Sequence, residues 1–363
     1  MVTPHLPPYQ AANALLPHVL GLELTKRRHA VSFLTFRTDD PVRENTRYVR
    51  RRTGLRVTRI PQLLEAIETR RQALPLIAEA DVVHIHSNTW MNQVAARLAC
   101  RKNKPYVLTH YGTEIWHHDG RNRAFRTLNE RAHQVTFYSA RLLERAHELK
   151  VPMREASVIY PAVDLLFSPL GPPEREAVRA PLVGSSESLL FNVKRLHPLA
   201  DHATLLRAFS LLEPKGVRAR MVIAGSGEER DRLEDLAEEL GVSARVRFLG
   251  LVPNQEVAKL HGAADLFVLS STLEATPTVV LEALACGTRV VSTDNPGGLE
   301  LGAMFPDDLR IVPRGNPEAL ADGIAASLRE NRRISERTSR VIDERFSLRG
   351  LVDRYCEIYE QAR

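Results

Sequence analysis

The sequence is poor in the features that mark secreted, metal-binding or membrane-spanning chains. Three of its 363 residues are cysteines, at positions 100, 286 and 356, and they form no C-x-x-C pair. Neither a disulfide framework nor a zinc knuckle is therefore expected. No apolar run reaches the roughly 18 residues that a membrane span needs, and no apolar segment follows a basic start. These absences predict a cytoplasmic protein with reduced thiols.

Charge is unevenly distributed along the chain. Residues 1–165 hold 25 Lys and Arg against 15 Asp and Glu, a net charge of +10, whereas residues 166–363 hold 25 against 29, a net charge of −4. Basic clusters occur at 26–28, 50–52 and 70–71. Such clusters fit nucleic acid, an anionic membrane, an acidic substrate or simply a solvated face. No aromatic-interleaved RNA motif or zinc finger accompanies them, so nucleic acid is not an expected partner.

Short apolar runs alternate with amphipathic helical segments from end to end. Runs typical of buried strands begin at residues 31, 81, 106 and 135, and then at 189, 221, 246, 266 and 289. This alternation predicts the α/β class, with parallel sheets built from βαβ units. A chain of this length usually divides into two domains. We predict two doubly wound, Rossmann-like domains that face a cleft, at 1–165 and 166–345. A Pro/Gly-rich linker is expected at 167–174, and a last helix, about 346–363, is expected to cross back to the first domain.

Glycines follow one of the second-half strands in a pattern that suits a ligand. Gly225 and Gly227 lie between the apolar run at 221–224 and an amphipathic segment that ends at Gly241. They therefore form a strand-to-helix turn. A lone G-x-G is a weak signal, but ligands of open parallel sheets bind at the carboxyl ends of strands, where this turn is expected.

Two carboxylates eight residues apart, Glu274 and Glu282, flank an expected helix start. Thr276 resembles an N-cap and Pro277 the first helical residue, while Gly287 is placed to end the helix. On one continuous helix the two carboxylates would be about 12 Å apart, which disfavours an acid/base pair. No D-x-D or His-carboxylate cluster adjoins them to suggest a metal site. Two possibilities remain. The carboxylates could bind a ligand whose phosphate contacts the helix N-terminus, or they could be ordinary solvated side chains.

Several motifs together resemble one enzyme family. The segment at 274–287 is similar to the E-x7-E signature of family 4 retaining glycosyltransferases of the GT-B fold, usually written EGFGxxxLEAMACGxPVV. The resemblance is dense from 189 to 320, thin before 80, and covers essentially the whole chain. It includes the segments MVIAGSGE (221–228), AADLFVLSS (263–271), TDNPGG (293–298), LTHYGTE (108–114) and PAVD (161–164).

The resemblance implies a donor-binding second domain and an acceptor-binding first domain. By this analogy Glu282 would bind the nucleotide ribose, and Glu274 would contact the donor sugar beside the reacting carbon. His110 would face that sugar from the first domain, so His110 and Glu274 are the predicted catalytic residues. On the acceptor side we name Asn13 and His86, although His84 and His86 alternate on one strand and also suit a core position. The complete predicted donor set is Lys194, Arg195, Gly225, Gly227, Thr276, Thr278, Val279 and Glu282.

The chain also departs from the family pattern. In the segment that resembles G-R-L-x-x-x-K-G, Arg195 matches, but Lys194 replaces the glycine and Ala200 replaces the lysine. We hypothesise that Lys194 or His197 supplies the missing positive charge for the diphosphate. Residues 11 and 12 are alanines where the family has a glycine pair, and Pro277 removes an N–H group. Almost no first strand precedes Pro4, as expected if the start codon were placed a few residues late.

The sequence favours a retaining enzyme that moves a hexose-type sugar from a nucleotide-diphosphate sugar to a polysaccharide, glycolipid or natural-product acceptor. In this family the leaving phosphate takes the acceptor proton, so no cofactor and no metal ion are expected. A GT-B-shaped epimerase or phosphorylase would require other catalytic groups. The substitutions noted above keep one alternative open: a sugar-nucleotide-binding protein or partner subunit with weak or no turnover. The basic first half also predicts peripheral contact with an anionic membrane at its inner face.

Overall fold

The computed structural model describes residues 1–7, 9, 12–37, 43–51, 59–184 and 187–363. It divides into two compact units, one formed by Met1–Pro161 with Arg349–Arg363 and the other by Ala162–Leu348. Among the described residues, no helix is both long and apolar enough to cross a membrane.

Unit 1 is built on parallel strands with helices between them. One sheet has two strands and the other has four, in the order β3-β4-β5-β6. The single residue Val2 forms parallel bridges to Leu34 of one sheet and to Ile85 of the other, in place of a full first strand. The strands are β1 (Phe33–Phe36), β2 (Thr46–Val49), β3 (Val83–His86), β4 (Tyr106–His110), β5 (Gln134–Phe137) and β6 (Ala156–Val158).

The helices of unit 1 cover these strands, and the last of them comes from the end of the chain. Tyr355 of this last helix is fully buried in unit 1, and its hydroxyl hydrogen-bonds with Thr109 and Thr136. The helices are α1 (Ala12–Lys26), α2 (Arg59–Glu79), α3 (Trp90–Arg101), α4 (Thr113–Trp116), α5 (Arg123–Glu130), α6 (Ala140–Glu148) and, at the end of the chain, α15 (Leu348–Ala362).

Unit 2 contains one six-stranded parallel sheet in the order β12-β11-β10-β7-β8-β9. Chain order reverses between β7 and β10, which are direct neighbours. The carboxyl ends of these two strands therefore form the switch point at which doubly wound sheets bind ligands. The strands are β7 (Ser188–Val193), β8 (Ala219–Ala224), β9 (Val246–Gly250), β10 (Leu266–Leu269), β11 (Val290–Thr293) and β12 (Leu309–Val312).

The helix at residues 230–239 of unit 2 follows the predicted apolar periodicity. Leu233 and Leu236 of α9 are buried in the core, and Gly241 follows that helix at a positive φ of 67°. The predicted linker lies inside unit 2, where Phe167 is buried and Leu170 packs against Gly262. The helices are α7 (Pro172–Arg179), α8 (His202–Ser210), α9 (Arg230–Glu239), α10 (Asn254–Ala263), α11 (Thr278–Ala285), α12 (Pro296–Met304), α13 (Pro317–Arg329) and α14 (Glu336–Arg345).

Candidate functional site

The carboxyl ends of β7 and β10 bring together an ion pair from distant parts of the sequence. Lys194 follows β7, and Glu274 lies in the loop after β10. The Lys194 Nζ atom is 2.6 Å from Glu274 Oε1, and the two side chains are 27% and 14% exposed. The backbone of the same loop is held by a hydrogen bond of 3.0 Å from the Gly297 N–H group to the Glu274 carbonyl. Lys194, from the predicted donor-binding set, and Glu274, a predicted catalytic residue, are thus in contact and partly buried at the switch point.

Glu282 lies in the second turn of α11 and has unusual electrostatics. Burial raises the pKa of its carboxyl group to about 7, and the negative charge of Asp164 acts in the same direction. A hydrogen bond from the Thr278 hydroxyl and the positive charge of Lys194 lower the pKa, but they do not offset burial. Glu282 therefore exchanges its proton near neutral pH. As a carboxylate it would be a strong acceptor for hydroxyl groups.

The start of α11 differs from the prediction. The helix begins at Thr278, and Pro277 occupies the N-cap position without any side-chain capping bond. Thr276 is therefore not the N-cap. The packing of the loop explains the shift, because Pro277 is buried and its Cδ lies against Gly297, where a Cβ would come within 2.7 Å of it. Gly287 follows the helix at a φ of 78°, which confirms the predicted end.

Gly225 and Gly227 have a structural reason to be glycines. A Cβ on Gly225 would lie 2.0 Å from the Lys194 carbonyl oxygen, and one on Gly227 would lie 2.1 Å from that of Leu196. The turn is fixed there by a hydrogen bond of 3.0 Å from the Leu196 N–H group to the Ser226 carbonyl. The absence of side chains thus lets this turn support the backbone that carries Lys194. Contact of either glycine with a donor stays a prediction.

The other cation of this segment points to solvent. Arg195 is 72% exposed and lies 3.4 Å from Glu228, which is also 3.6 Å from His197 Nε2. Ala200, at the family's lysine position, is buried in a 3-10 turn, and its carbonyl oxygen accepts a hydrogen bond of 2.8 Å from Ser270. Lys194 is therefore the cation that this segment directs at the two glutamates.

In unit 1, His110 ends β4 with its side chain fully buried. Its ring packs between Phe125 and Phe137, its Nε2 atom is 2.8 Å from Asn129 Oδ1, and its Nδ1 atom is 3.7 Å from Glu114 Oε1. Burial alone would raise the pKa of Glu114, but the neighbouring His110 ring and a hydrogen bond of 2.7 Å from the Tyr111 N–H group hold that pKa below its usual range. The predicted sugar contact of His110 would thus require the ring to become accessible.

The two acceptor-side residues are also enclosed within unit 1. The His86 Nδ1 atom is 2.7 Å from the Tyr111 hydroxyl, its Nε2 atom has no hydrogen-bond partner, and its ring lies 3.8 Å from that of His84. Burial lowers the pKa of both histidines well below its usual range. Asn13 lies in the first turn of α1, and its Oδ1 atom is buried without a partner. Ala11, which replaces a family glycine, lies outside the described residues.

The sequence reading overlooked three carboxylates that surround the predicted residues. Asp164, Glu114 and Glu228 influence Glu282, His110 and Arg195 respectively. Each of the three lies in a segment that carries the family resemblance, and this position could have indicated that they belong near the candidate site. Remaining members of the predicted donor set, Thr276 and Val279, lie half-buried around the helix start. Among the described residues, no group of three or more His, Cys, Asp or Glu side chains could hold a metal ion.

Comparison with known proteins defines the class. Residues 174–343 match the family described as Glycosyl transferases group 1, and residues 18–166 match Glycosyltransferase Family 4. An uncharacterized glycosyltransferase of Methanocaldococcus jannaschii is 30% identical over 89% of this chain and 87% of its own. The N-acetyl-alpha-D-glucosaminyl L-malate synthase of Bacillus anthracis is 25% identical over 94% of this chain and 91% of its own.

A solved structure shares the fold. Anabaena HepE in complex with UDP covers 99% of each chain with a TM-score of 0.81 and 19% identity. The chain therefore belongs to the group 1 glycosyltransferases of the GT-B fold, and it is a sugar-transferring enzyme. The predicted family, fold class and enzyme class are confirmed.

Proposed function

We propose that the enzyme transfers a hexose-type sugar from a nucleotide-diphosphate sugar to a polysaccharide, glycolipid or natural-product acceptor, with retention of the anomeric configuration. The observation that carries this proposal is the Lys194–Glu274 ion pair beside Glu282 at the switch point of unit 2. One cation and two carboxylates suit a ligand that combines a diphosphate with many hydroxyl groups. The UDP complex of the structurally similar HepE supports the same ligand class.

Each charged group has a role that follows from its chemistry. The Glu282 carboxylate accepts hydrogen bonds from the ribose hydroxyls. Lys194 exchanges its partner Glu274 for the diphosphate, and Glu274 is then available to the hydroxyl groups of the donor sugar. Negative charge grows on the departing diphosphate during transfer, so a cation held in place lowers the barrier. Arg195, exposed at the same segment, adds charge once it leaves Glu228.

Retention follows if the donor supplies its own base. The bond between the anomeric carbon and the phosphate oxygen breaks, and the acceptor oxygen bonds to that carbon on the same face. The departing phosphate oxygen takes the acceptor proton, so atoms and charges balance without an enzymic nucleophile. Within this scheme we propose that neither a cofactor nor a resident metal ion takes part, because Lys194 and Arg195 provide the positive charge. Activity that persists in excess EDTA would agree with this, and activity lost to EDTA and restored by a divalent ion would contradict it.

A donor panel tests the proposed function. Purified protein is titrated by calorimetry with UDP-, GDP- and ADP-sugars, and transfer to glycan and lipid-linked acceptors is followed by NMR, which reports the product anomer. We expect one nucleotide to bind and Glu282→Ala to weaken that binding at least tenfold. Glu238→Ala, an exposed position on α9, serves as the matched control. Binding without transfer to any acceptor, or an inverted product, would refute the proposed reaction.

The basic character of unit 1 supports a second part of the proposal, which concerns location. We propose that the enzyme works in the cytoplasm and contacts the inner face of an anionic membrane. Residues 1–165 contain 25 basic and 15 acidic residues, and this net positive charge supports contact with an anionic membrane. Binding to vesicles that does not depend on anionic lipid would contradict it.

A further inference from the structure

Helix α2 of unit 1 turns apolar side chains outward. Leu63, Leu64 and Ile67 are 60%, 45% and 56% exposed, whereas Glu65 and Thr69 of the same turns are 5% and 0% exposed. Residues three and four apart share a helix face, so Leu63 and Ile67 lie on one outer face and Glu65 and Thr69 on the inner one. The first half of α2 therefore has the reverse of the usual pattern, in which apolar residues face the core.

The second half of the helix shows that this orientation is fixed by packing. Ala73 and Ile77 continue the inner face of Glu65 and Thr69 at four-residue spacing, and they are 1% and 3% exposed. Rotating α2 to bury Leu63 would expose these two core residues. The outward apolar face is thus a property of the folded unit, and exposed apolar patches of this kind mark interaction surfaces.

Basic residues surround the apolar side chains. Arg70 and Arg71 follow on the same helix and are exposed, as are Arg50 and Arg51 after β2. The Arg50 N–H group donates a hydrogen bond of 3.2 Å to Glu68 Oε1, which places this segment beside α2. Leu and Ile side chains rimmed by arginines suit the boundary between acyl chains and anionic headgroups, because arginine reaches the phosphates while its stem covers apolar surface.

We propose that Leu63, Leu64, Ile67, Arg70 and Arg71, here called the α2 patch, dock the enzyme on an anionic lipid bilayer. The positive charge complements such a bilayer, and α2 would lie in the interface plane. This inference deepens the membrane contact proposed above by naming the element that makes it. It does not depend on the transfer reaction, so its failure would leave the proposed chemistry in place.

Vesicle co-sedimentation of the full chain tests the α2 patch. The probes are vesicles of phosphatidylcholine alone and of phosphatidylcholine with about 30% phosphatidylglycerol, at low and high salt. We expect binding to the anionic vesicles only, and weaker binding at high salt. The double variant Leu63→Asp with Ile67→Asp should bind at least tenfold more weakly, and Arg70→Glu with Arg71→Glu should lose the preference for anionic lipid.

Controls keep the result specific to α2. Leu251→Asp and Leu299→Asp alter leucines of unit 2 that are 67% and 44% exposed, and they should bind vesicles like the wild type. Thermal unfolding must match between both sets, which shows that the variants fold. Unchanged vesicle binding by the α2 variants would overturn the assignment to α2. A wild-type chain that ignores vesicles but forms a dimer sensitive to Leu63→Asp would make the patch a protein interface and overturn the proposal.

Discussion

Glu282→Gln should make the protein without nucleotide more stable against unfolding at alkaline pH, and it should weaken nucleotide binding. The wild-type carboxyl releases its proton at about pH 7 in the folded chain, against an ordinary value of 4.5. Between these values the folded state binds more protons than the unfolded state, so stability falls as pH rises from 4.5 to 7. Above pH 7 the folded state carries the full cost of a buried charge, and below pH 4.5 it carries none.

The size of the effect follows from the shift. The difference between the two pKa values corresponds to about 3 kcal/mol at about 1.36 kcal/mol per pH unit. Because the carboxyl is half-buried, solvent reduces this to about 1–3 kcal/mol. Glutamine keeps the shape and can still accept the Thr278 hydroxyl hydrogen bond, but it has no charge to bury. For a unit of this size, the melting temperature at pH 8 should rise by about 2–12 °C.

The assay is thermal unfolding of wild type and variant from pH 4.5 to 8.5, without and with the nucleotide that binds best. Without nucleotide, the advantage of Glu282→Gln should grow from nearly zero at pH 4.5 to its full value above pH 7. Nucleotide should stabilise the wild type and not the variant, which reverses the order. Glu238→Gln should change neither curve. An advantage of equal size at every pH, or a less stable variant at pH 8, would refute the reasoning.

Three further predictions concern the support of the site and the core of unit 2. Lys194→Ala should lower kcat by about a hundredfold in a transfer assay, whereas Lys194→Arg, which keeps a cation at this position, should retain more of the turnover. Unchanged turnover by Lys194→Ala would reject the role of Lys194. Gly225→Ala should yield little soluble protein, because its Cβ would strike a carbonyl oxygen at 2.0 Å, whereas Gly171→Ala has ordinary clearance and should fold. Burial lowers the pKa of His261 from 6.5 to about 3, so the free energy of unfolding of the wild type falls as pH drops below 6.5. His261→Leu should therefore lose less of its unfolding free energy than the wild type over this pH range. By pH 5 this single group should account for about 2 kcal/mol in urea unfolding, and equal slopes in both proteins would contradict the explanation.

Most strands could be predicted because a strand buried on both faces is a continuous apolar run. The runs at 189, 221 and 266 became β7, β8 and β10, all with buried interiors. The strands that sequence reading missed are β2, β6 and β12, and each lies at the edge of its sheet. An edge strand pairs on one side and is short or partly polar, so its pattern resembles that of a loop. Edge position is not the whole explanation, because β3 and β9 are also edge strands and the runs at 81 and 246 predicted them.

The site was predicted only in part, for a similar reason. The resemblance identified Glu274 and Glu282, yet it could not reveal that Lys194 pairs with Glu274, because 80 residues separate them. Their contact depends on β7 and β10 being neighbours. The start of α11 was wrong because Thr276 followed by Pro277 satisfies local capping rules. The contact of Pro277 with Gly297 is tertiary, and it overrides that local preference.

The hypothesis that Lys194 replaces the family's lysine agrees with the charges of unit 2. Glu274 pairs with a cation, and Lys194 supplies it from the first residue after β7. The turn that contains Gly225 and Gly227 packs closely against the backbone of Lys194–Leu196. This packing fixes the position of the Lys194 backbone, from which the side chain extends. Ala200 meanwhile occupies a buried turn that ties β7 to β10 through Ser270. With the positive charge on Lys194, no charged side chain has to be buried at Ala200, whose carbonyl accepts the Ser270 hydrogen bond. Lys194 at the same time keeps one positive charge beside the carboxylates of Glu274 and Glu282.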